Sequence, residues 1–172
     1  MRKVALKDFD ELVEIIRYIY NDAWSDNWGF VPWTKEEFAY LAKDLKLILI
    51  PELVLLAYKD DKPVGFALPL PDINQILIKM NGRLFPTGIF KLLLGKKKID
   101  FVRIAVFGVL KEYQNMGIDG LLVYELYNRG VNLGMNGADF SWILEDNMKL
   151  RNMLEKWGAK HYKTHRIYSL KL

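Results

Sequence analysis

Residues 99–132, IDFVRIAVFGVLKEYQNMGIDGLLVYELYNRGVN, have the pattern of a buried strand, a tight turn and a helix. Phe101 to Leu110 is apolar and rich in β-branched residues, and only Arg103 and Gly108 interrupt it. Such a nearly continuous apolar run is typical of a strand that is covered on both faces. From Ile118 onward the apolar residues recur near helical spacing, so a helix is predicted to begin there.

The turn between these two elements spans residues 111–117 and places Gly117 directly before the helix. The first turn of a helix presents unpaired backbone N–H groups and the positive end of the helix dipole, and both suit a phosphate group. Gly117 has no side chain and would let a phosphate approach the backbone closely. An ordinary strand–turn–helix unit is the simpler interpretation, and the local sequence leaves both open.

The same turn resembles a known motif. Gln114-x-x-Gly117, after a strand that ends in Val109-Leu110, is similar to motif A of the GNAT superfamily of N-acyltransferases, whose pattern Gln/Arg-x-x-Gly-x-Gly/Ala holds the pyrophosphate of an acyl-coenzyme A. The resemblance implies that the strand edge around Phe107 to Val109 pairs with the pantetheine arm. It also implies that the pyrophosphate is held by a run of backbone N–H groups, from Gln114, Asn115, Met116, Gly117, Ile118, Asp119 and Gly120.

A second segment agrees with this resemblance. Asn147 lies between a predicted strand, 138–144, and a predicted helix that runs to Trp157, as in the family's Asn-containing segment between its fifth strand and fourth helix. The resemblance implies that Asn147 helps to place the arm of the coenzyme. The strings NDAWSDNWGFVPWT, NGRLFP and WILEDN further resemble an uncharacterised bacterial GNAT-like group, in which this stretch usually forms the C-terminal half of a longer protein.

The fold class implied is α/β (α+β), with a central mixed, mostly antiparallel sheet flanked by helices in a single domain of residues 1–172. Two helices are predicted near the start of the chain, one capped by Asp8 and one begun by the capping box Thr34-x-x-Glu37. Pro69 and Pro71 are expected to end the second strand of a hairpin. The predicted strands are 2–6, 53–58, 64–68, 101–110, 138–144 and 160–170.

Residues 72–98 lack a strand pattern and are predicted to form a helical insertion before the motif A strand. Asp72 would cap a first helix that ends at Asn81-Gly82, and Ile89 to Leu94 would form a second helix, followed by Lys96-Lys97-Lys98. The insertion could pack on the sheet, cover an acyl pocket or lie on a membrane surface. We favour packing on the sheet, because the second helix is short for a membrane-surface helix.

The loop of residues 24–33 is unusually rich in aromatic side chains, including Trp24 and Trp28. Such a loop either folds over the core or lines a pocket, with Asp26 or Asn27 as polar groups. In the GNAT fold the loop between the first two helices borders the acceptor site. The resemblance therefore assigns Trp24, Asp26 and Trp28 to substrate binding.

The chain departs from the family pattern at three positions. Asp119 replaces the second glycine or alanine of motif A, and a carboxylate is unfavourable beside phosphates. Arg103 and Leu154 occupy positions at which many members carry a glutamate base and a tyrosine acid. A guanidinium is no base at neutral pH but binds carboxylates, so Arg103 is a candidate for binding the acceptor.

The catalytic base has one weak candidate, Glu145, at the end of a predicted strand, where clefts form in open sheets. His165 could serve if it faced the cleft. His161 and His165 are predicted to lie on the same side of the final strand. Because the chain has no cysteine and no acidic cluster near these histidines, no metal site is predicted.

Composition narrows the functional classes. The chain has 172 residues, of which 51% are hydrophobic and 27% charged, and this suffices for one domain with a core. The lack of cysteine excludes disulfides and a cysteine nucleophile and is compatible with the cytoplasm, the location we expect. No signal peptide and no membrane span are expected. The formal net charge of +4 suits an anionic small ligand and is weak support for nucleic-acid binding.

The predicted function is transfer of an acetyl or longer acyl group from acetyl-CoA or another acyl-CoA, used as co-substrate without a metal, to an unidentified amine by direct attack. The alternative is a GNAT-fold module that binds coenzyme A or an acyl ligand without catalysis, which Arg103, Leu154 and Asp119 favour. The expected partner is a small-molecule or other amine acceptor. Nucleic acid is not expected, membrane contact is disfavoured, and a homodimer is compatible with the sequence.

Overall fold

A computed structural model of the protein describes residues 2–3, 9–80, 88–95 and 98–170. The chain divides into two compact units, Met1–Ser141 and Trp142–Leu172. The prediction of a single domain therefore stays a prediction, and the two units are described separately.

The first unit contains a sheet of five strands in the order β1-β2-β3-β4-β5. All neighbouring strands run antiparallel except β4 and β5, which are parallel. The predicted central mixed, mostly antiparallel sheet is thereby confirmed. The strands are β1 (Arg2–Lys3), β2 (Leu55–Lys59), β3 (Lys62–Pro71), β4 (Phe101–Val109) and β5 (Gly137–Phe140).

Helices flank this sheet. The first unit contains α1 (Phe9–Trp24), α2 (Lys35–Lys46), α3 (Asn74–Leu77), α4 (Gly88–Gly95) and α5 (Ile118–Asn132), and the second unit contains α6 (Met148–Lys156). The predicted capping box at the start of α2 is present, since Thr34 Oγ1 accepts from the Glu37 N–H and Glu37 Oε2 accepts from the Thr34 N–H, at 3.2 and 3.1 Å. Asp8 lies outside the described residues.

α1 and α5 pack on opposite faces of the sheet. A Cβ at Gly108 of β4 would lie 3.1 Å from the Phe66 ring and 3.3 Å from Ala23 Cβ, so α1 packs closely on that face. A Cβ at Gly65, the neighbour of Phe66 on β3, would lie 3.3 Å from Ile118 Cγ2 of α5. Consecutive strand residues face opposite sides, so the two helices cover the sheet from both sides. The main core includes Ile16, Ile19, Phe66, Leu122 and Leu126.

The β2–β3 hairpin turns at Asp60 and Asp61, both with positive φ. The prediction that Pro69 and Pro71 end the second strand is wrong, because β3 continues to Pro71. Its pairing with β4 shifts register at Pro69. A register irregularity is a place in a sheet where a proline is tolerated without breaking the strand.

The helical insertion forms α3, a 3₁₀ helix (Ile78–Met80) and α4, as predicted in outline. Ile76, Met80 and Ile99 make a small apolar cluster of their own. Ile78, Phe90 and Leu94 remain largely exposed. The predicted helix end at 81–82 and the lysines at 96–97 lie outside the described residues. No helix in the described part of the chain is long and apolar enough to cross a membrane.

In the second unit, α6 begins where predicted. Asn147 is its N-cap, and its side-chain oxygen accepts a hydrogen bond of 3.2 Å from the Leu150 N–H. Residues 160–170 form no strand and are exposed, so that prediction is wrong. The predicted strand 138–144 is also shorter and ends at Phe140, in the first unit. A strand needs a hydrogen-bonding partner, and the described part of the second unit contains no other strand.

The loop between α1 and α2 is anchored by Asn21. Its Nδ2 donates to Trp33 O and its Oδ1 accepts from the Trp33 N–H, both at 3.0 Å. Arg17 Nη1 also donates to Trp33 O, at 3.3 Å. These bonds satisfy backbone groups that have no helix or strand to pair with, and they fix the end of the aromatic loop.

We expect the N21D substitution to destabilise the fold by about 1–3 kcal/mol, because a carboxylate oxygen would replace the amide donor that faces Trp33 O. Urea denaturation measures the loss. The matched control is N152D, the same chemical change at an exposed position of α6, which we expect to stay within about 0.5 kcal/mol of the wild type. Equal stability of the two variants would contradict the anchoring role.

Candidate functional site

The site is organised by the point at which β4 and β5 part. Their parallel pairing runs from Phe101 with Gly137 to Ile104 with Phe140 and ends there, while β4 continues to Val109. On the other side of β4, Leu68 pairs with Val106 and Pro69 with Ile104, so Ala105 is an extra residue of β4. This bulge lies directly after the last pair with β5. Within the described residues, the second half of β4 thus has a strand partner only on its β3 side.

The register shows which backbone groups face the open side. The Leu110 N–H donates to Val64 O, at 2.9 Å, toward the β3 side. Backbone groups of consecutive strand residues point in opposite directions. The carbonyl groups of Phe107 and Val109 therefore point away from β3, to the edge predicted to pair with the pantetheine arm.

Both of these carbonyl groups accept hydrogen bonds from side chains. Trp24 Nε1, at the end of α1, donates to Phe107 O at 3.0 Å. Gln114 Nε2, in the motif A turn, donates to Val109 O at 3.2 Å. The chain thus closes its own open strand edge with two side-chain donors.

The motif A turn follows β4 as a 3₁₀ helix (Lys111–Tyr113) and two residues with positive φ, Asn115 at 66° and Gly117 at 79°. Gly117 is the N-cap of α5 and, as a glycine, provides no side-chain cap of its own. A Cβ at Gly117 would meet no described atom within 4 Å. The turn therefore leaves space beside the start of α5.

Basic side chains surround this turn. Lys59 Nζ lies 3.9 Å from Met116 Sδ and 5.5 Å from the centre of the Tyr113 ring. Lys62 Nζ donates to the Glu112 carboxylate at 2.7 Å, and this hydrogen bond raises the pKa of Lys62 above its usual value. Asp119, in the first turn of α5, is partly buried. Its negative charge would repel a phosphate bound at this turn.

The aromatic loop is joined to the end of β4 by Lys111. The Lys111 N–H donates to Asp22 Oδ2 and its Nζ pairs with Asp26 Oδ2, both at 2.7 Å. Trp24 stacks on Tyr20, with ring centres 5.1 Å apart, and burial raises the pKa of the Tyr20 hydroxyl. Trp28 is 79% exposed. The structure thus brings Trp24 to the β4 edge and Asp26 to Lys111, just beyond the end of β4, while Trp28 is largely exposed to solvent.

Arg103 is exposed on the face of the sheet that α1 covers elsewhere. It pairs with Leu70 of β3, which shares a face with Phe66, the residue opposite Gly108. On its other side Arg103 is in register with Asp139, whose carboxylate accepts from Ser141 Oγ at 2.9 Å. Alternation along β4 could not assign this face, because the bulge at Ala105 interrupts it.

Two predicted site residues of the second unit, Glu145 and Asn147, have structural partners within that unit. The Glu145 carboxylate lies 3.2 and 3.3 Å from Arg166 Nη2, and its backbone oxygen accepts from Arg151. Asn147 caps α6, and Leu154 is buried at 6% exposure. The predicted roles of Glu145 and Asn147 in catalysis and coenzyme binding stay predictions.

The residues near the β4 edge fit an acyl-CoA. The β4 edge carries backbone groups of the kind that pair with the amide groups of a pantetheine arm, although its two outward carbonyl groups already accept side-chain hydrogen bonds. The space beside Gly117 adjoins the positive end of α5. Lys59 adds positive charge to the same end of β4, whereas the charge of Lys111 is paired with the Asp26 carboxylate. Asp119 is the unfavourable member of the set.

Sequence reasoning did not identify Asp22, Lys59 or Asp139 as parts of this region. The hydrogen bond from Lys111 to Asp22 joins residues 89 positions apart, and the contact of Lys59 with Met116 joins residues 57 positions apart. Nothing in the local sequence marks either pair. Only the register of the sheet places Asp139 beside Arg103.

Comparison with known proteins agrees with this geometry. The family model described as "Acetyltransferase (GNAT) family" matches residues 13–159. The chain belongs to the GNAT family. The resemblance of the motif A turn is thereby confirmed at the level of the family.

Two bacterial proteins are similar over 98% of this chain. Protein YghO of Escherichia coli (strain K12) is 37% identical over 174 aligned residues. The bacterial ceramide synthase of Caulobacter vibrioides is 35% identical over the same length. The GNAT chain described here spans 45% of the length of each of these relatives.

Solved structures share the fold at low sequence identity. The aminoglycoside acetyltransferase AAC(6′)-Iy, in complex with a bisubstrate analogue of CoA, has a TM-score of 0.60 at 14% identity, over 94% of this chain and 93% of that chain. An aminoglycoside acetyltransferase from an uncultured soil metagenomic sample, in complex with sisomicin, has a TM-score of 0.63 at 15% identity, over 99% and 95%. These neighbours confirm the GNAT fold.

We expect G117A to lower the free energy of unfolding by about 1–2 kcal/mol, the cost of a left-handed conformation for a residue with a Cβ. Because the space around Gly117 is open, steric contact should add nothing. The matched control is G117N, since asparagine adopts this conformation more readily. Urea denaturation of both variants measures the difference, and equal losses would show that φ is not the cause.

Proposed function

We propose that this GNAT chain is an acyl-CoA-dependent N-acyltransferase in which an amine attacks the thioester directly. Family membership supports acyl transfer from a CoA-based co-substrate in general. The observation that carries the proposal is the parting of β4 and β5 after Ile104 and Phe140, beside the turn that opens α5. This arrangement offers a strand edge to an extended ligand and a helix start to its phosphates.

In the proposed reaction the amine nitrogen attacks the carbonyl carbon of the thioester. The C–N bond forms, the C–S bond breaks, and coenzyme A leaves as its thiol after taking up the proton that the amine loses. The β4 edge and the motif A turn would hold the donor while the acceptor is held nearby. Fixed geometry of this kind can supply a large part of the acceleration without covalent help from the protein.

We infer that the acceptor is a long-chain amine or amino alcohol and that the donor carries a long acyl chain. A ceramide is an amide of such an amino alcohol, and the relative named as a bacterial ceramide synthase is 35% identical over 98% of this chain. The insertion supports an apolar substrate as well, since Phe90 is 64% and Leu94 74% exposed. Arg103 is proposed to bind a polar group of the acceptor.

A non-catalytic coenzyme A-binding module is the second candidate function. The positions that often carry the base and the acid in this family hold an exposed arginine, Arg103, and a buried leucine, Leu154. A buried leucine can only pack, and an arginine cannot accept a proton at neutral pH. These two residues favour binding without turnover.

The first experiment separates the two functions. We expect coenzyme A and palmitoyl-CoA at one hundred times their Kd to stabilise the folded protein by about 2.7 kcal/mol, seen as a rise in Tm. Release of free thiol from palmitoyl-CoA, measured with a long-chain amino alcohol and with an aminoglycoside, tests turnover. Thiol release with the amino alcohol supports the proposal, and binding without release with any amine supports the module. If neither palmitoyl-CoA nor coenzyme A raises Tm, the result contradicts both the acyltransferase and the binding module.

The second experiment tests Glu145 as the base. We expect E145Q to lower kcat by about 10²- to 10⁴-fold, the usual contribution of a general base. The matched control is R166Q, which breaks the same ion pair but keeps the carboxylate. R166Q should retain activity near that of the wild type. If E145Q and R166Q are equally active, Glu145 is not the base.

A further inference from the structure

The open edge of β4 is closed by Trp24, whose indole donates to Phe107 O. We propose that Trp24 is a gate: its indole holds Phe107 O when no ligand is bound and releases this carbonyl to an amide N–H of the pantetheine arm. The inference rests on the proposed use of acyl-CoA and adds a residue that regulates access to the strand edge.

The indole N–H of Trp24 occupies the position beside Phe107 O that a ligand N–H group would need. Phe107 O points away from β3, and no strand of the described residues pairs with β4 beyond Ile104 on that side. The indole N–H lies 3.0 Å from this oxygen. A pantetheine arm that added to the edge as a further strand would bring its own N–H group to the same oxygen.

An exchange of donors explains why a tryptophan suits this position. The indole N–H is a donor only, so it can satisfy the carbonyl of an edge residue but cannot bond to the neighbouring backbone N–H groups. A pantetheine arm has amide groups that donate and accept. The exchange therefore leaves Phe107 O paired in both states and avoids the cost of an unsatisfied carbonyl.

The neighbours of Trp24 restrict the movement to its side chain. Ala23, the preceding residue, packs against β4 where Gly108 leaves room for it. Asp22 accepts a hydrogen bond from the Lys111 N–H at 2.7 Å and holds the same end of α1 to the end of β4. The Trp24 ring stacks on Tyr20, and its indole N–H donates to Phe107 O.

The W24F substitution tests the gate, because it removes the donor and keeps an aromatic ring to stack on Tyr20. Calorimetry with coenzyme A should show binding about threefold to tenfold tighter than in the wild type, the size expected from one hydrogen bond that no longer has to be broken. Adenosine 3′,5′-bisphosphate, which lacks the pantetheine arm, is the matched ligand. Its affinity should be unchanged.

The indole N–H resonance of Trp24 gives a direct readout in the wild-type protein. In ¹⁵N-labelled protein, triple-resonance spectra assign it, and the missing peak of W24F confirms the assignment. Coenzyme A should shift this resonance upfield, as expected on loss of the hydrogen bond, and adenosine 3′,5′-bisphosphate should leave it in place. This measurement does not depend on the stability of the variant.

The outcomes separate the gate from the proposed function. If coenzyme A binds, leaves the Trp24 resonance in place and binds W24F no more tightly than the wild type, the gate is wrong and the coenzyme site stands. If adenosine 3′,5′-bisphosphate also binds W24F more tightly, the effect lies at the phosphate turn and the gate is wrong. If the wild type binds neither ligand, the gate and the proposed function both fail.

Discussion

The extra residue of β4 at Ala105 is the constraint on which the rest of the site depends. Before it, β4 pairs with β5, and after it the same strand has β3 on one side and an open edge on the other. A bulge inserts one residue, bends its strand and increases the local twist, so it can end the pairing with one neighbour while the pairing with the other continues. The bulge at Ala105 therefore determines where the open strand edge begins, and the turn and the start of α5 follow from the end of that edge.

Charge is concentrated around the turn that the bulge positions. At the surface, Lys62 pairs with Glu112 and Lys111 pairs with Asp26. Lys59 contacts Met116. Ion pairs that are exposed to solvent add little to stability. Glu112, Asp26 and Asp119 balance the charge of these lysines, so the start of α5 offers an anion chiefly its backbone N–H groups and the positive end of the helix.

The chain combines the scaffold of an acyltransferase family with unusual residues at the two positions that, by the sequence resemblance, often carry the base and the acid. Leu154 is buried and contributes packing to α6, while Arg103 is exposed beside Asp139. With neither a base nor an acid at these positions, the proposed activity relies on Glu145 for proton transfer and on binding the thioester and the amine in a reactive geometry. Control of access to the β4 edge would then have a direct effect on the rate, which gives a gate at Trp24 a functional reason.

The sequence by itself determined the elements that follow local rules. Helical periodicity, the Thr34 capping box and a glycine before Ile118 predict α1, α2 and α5, because capping and backbone conformation depend on near neighbours. The tertiary structure decided the continuation of β3 through Pro69, the lack of a strand at 160–170 and the face of Arg103. It also decided the bond between Trp24 and Phe107, which are 83 positions apart. These features depend on strand register and on partners distant in sequence, and local residue patterns predict neither of them.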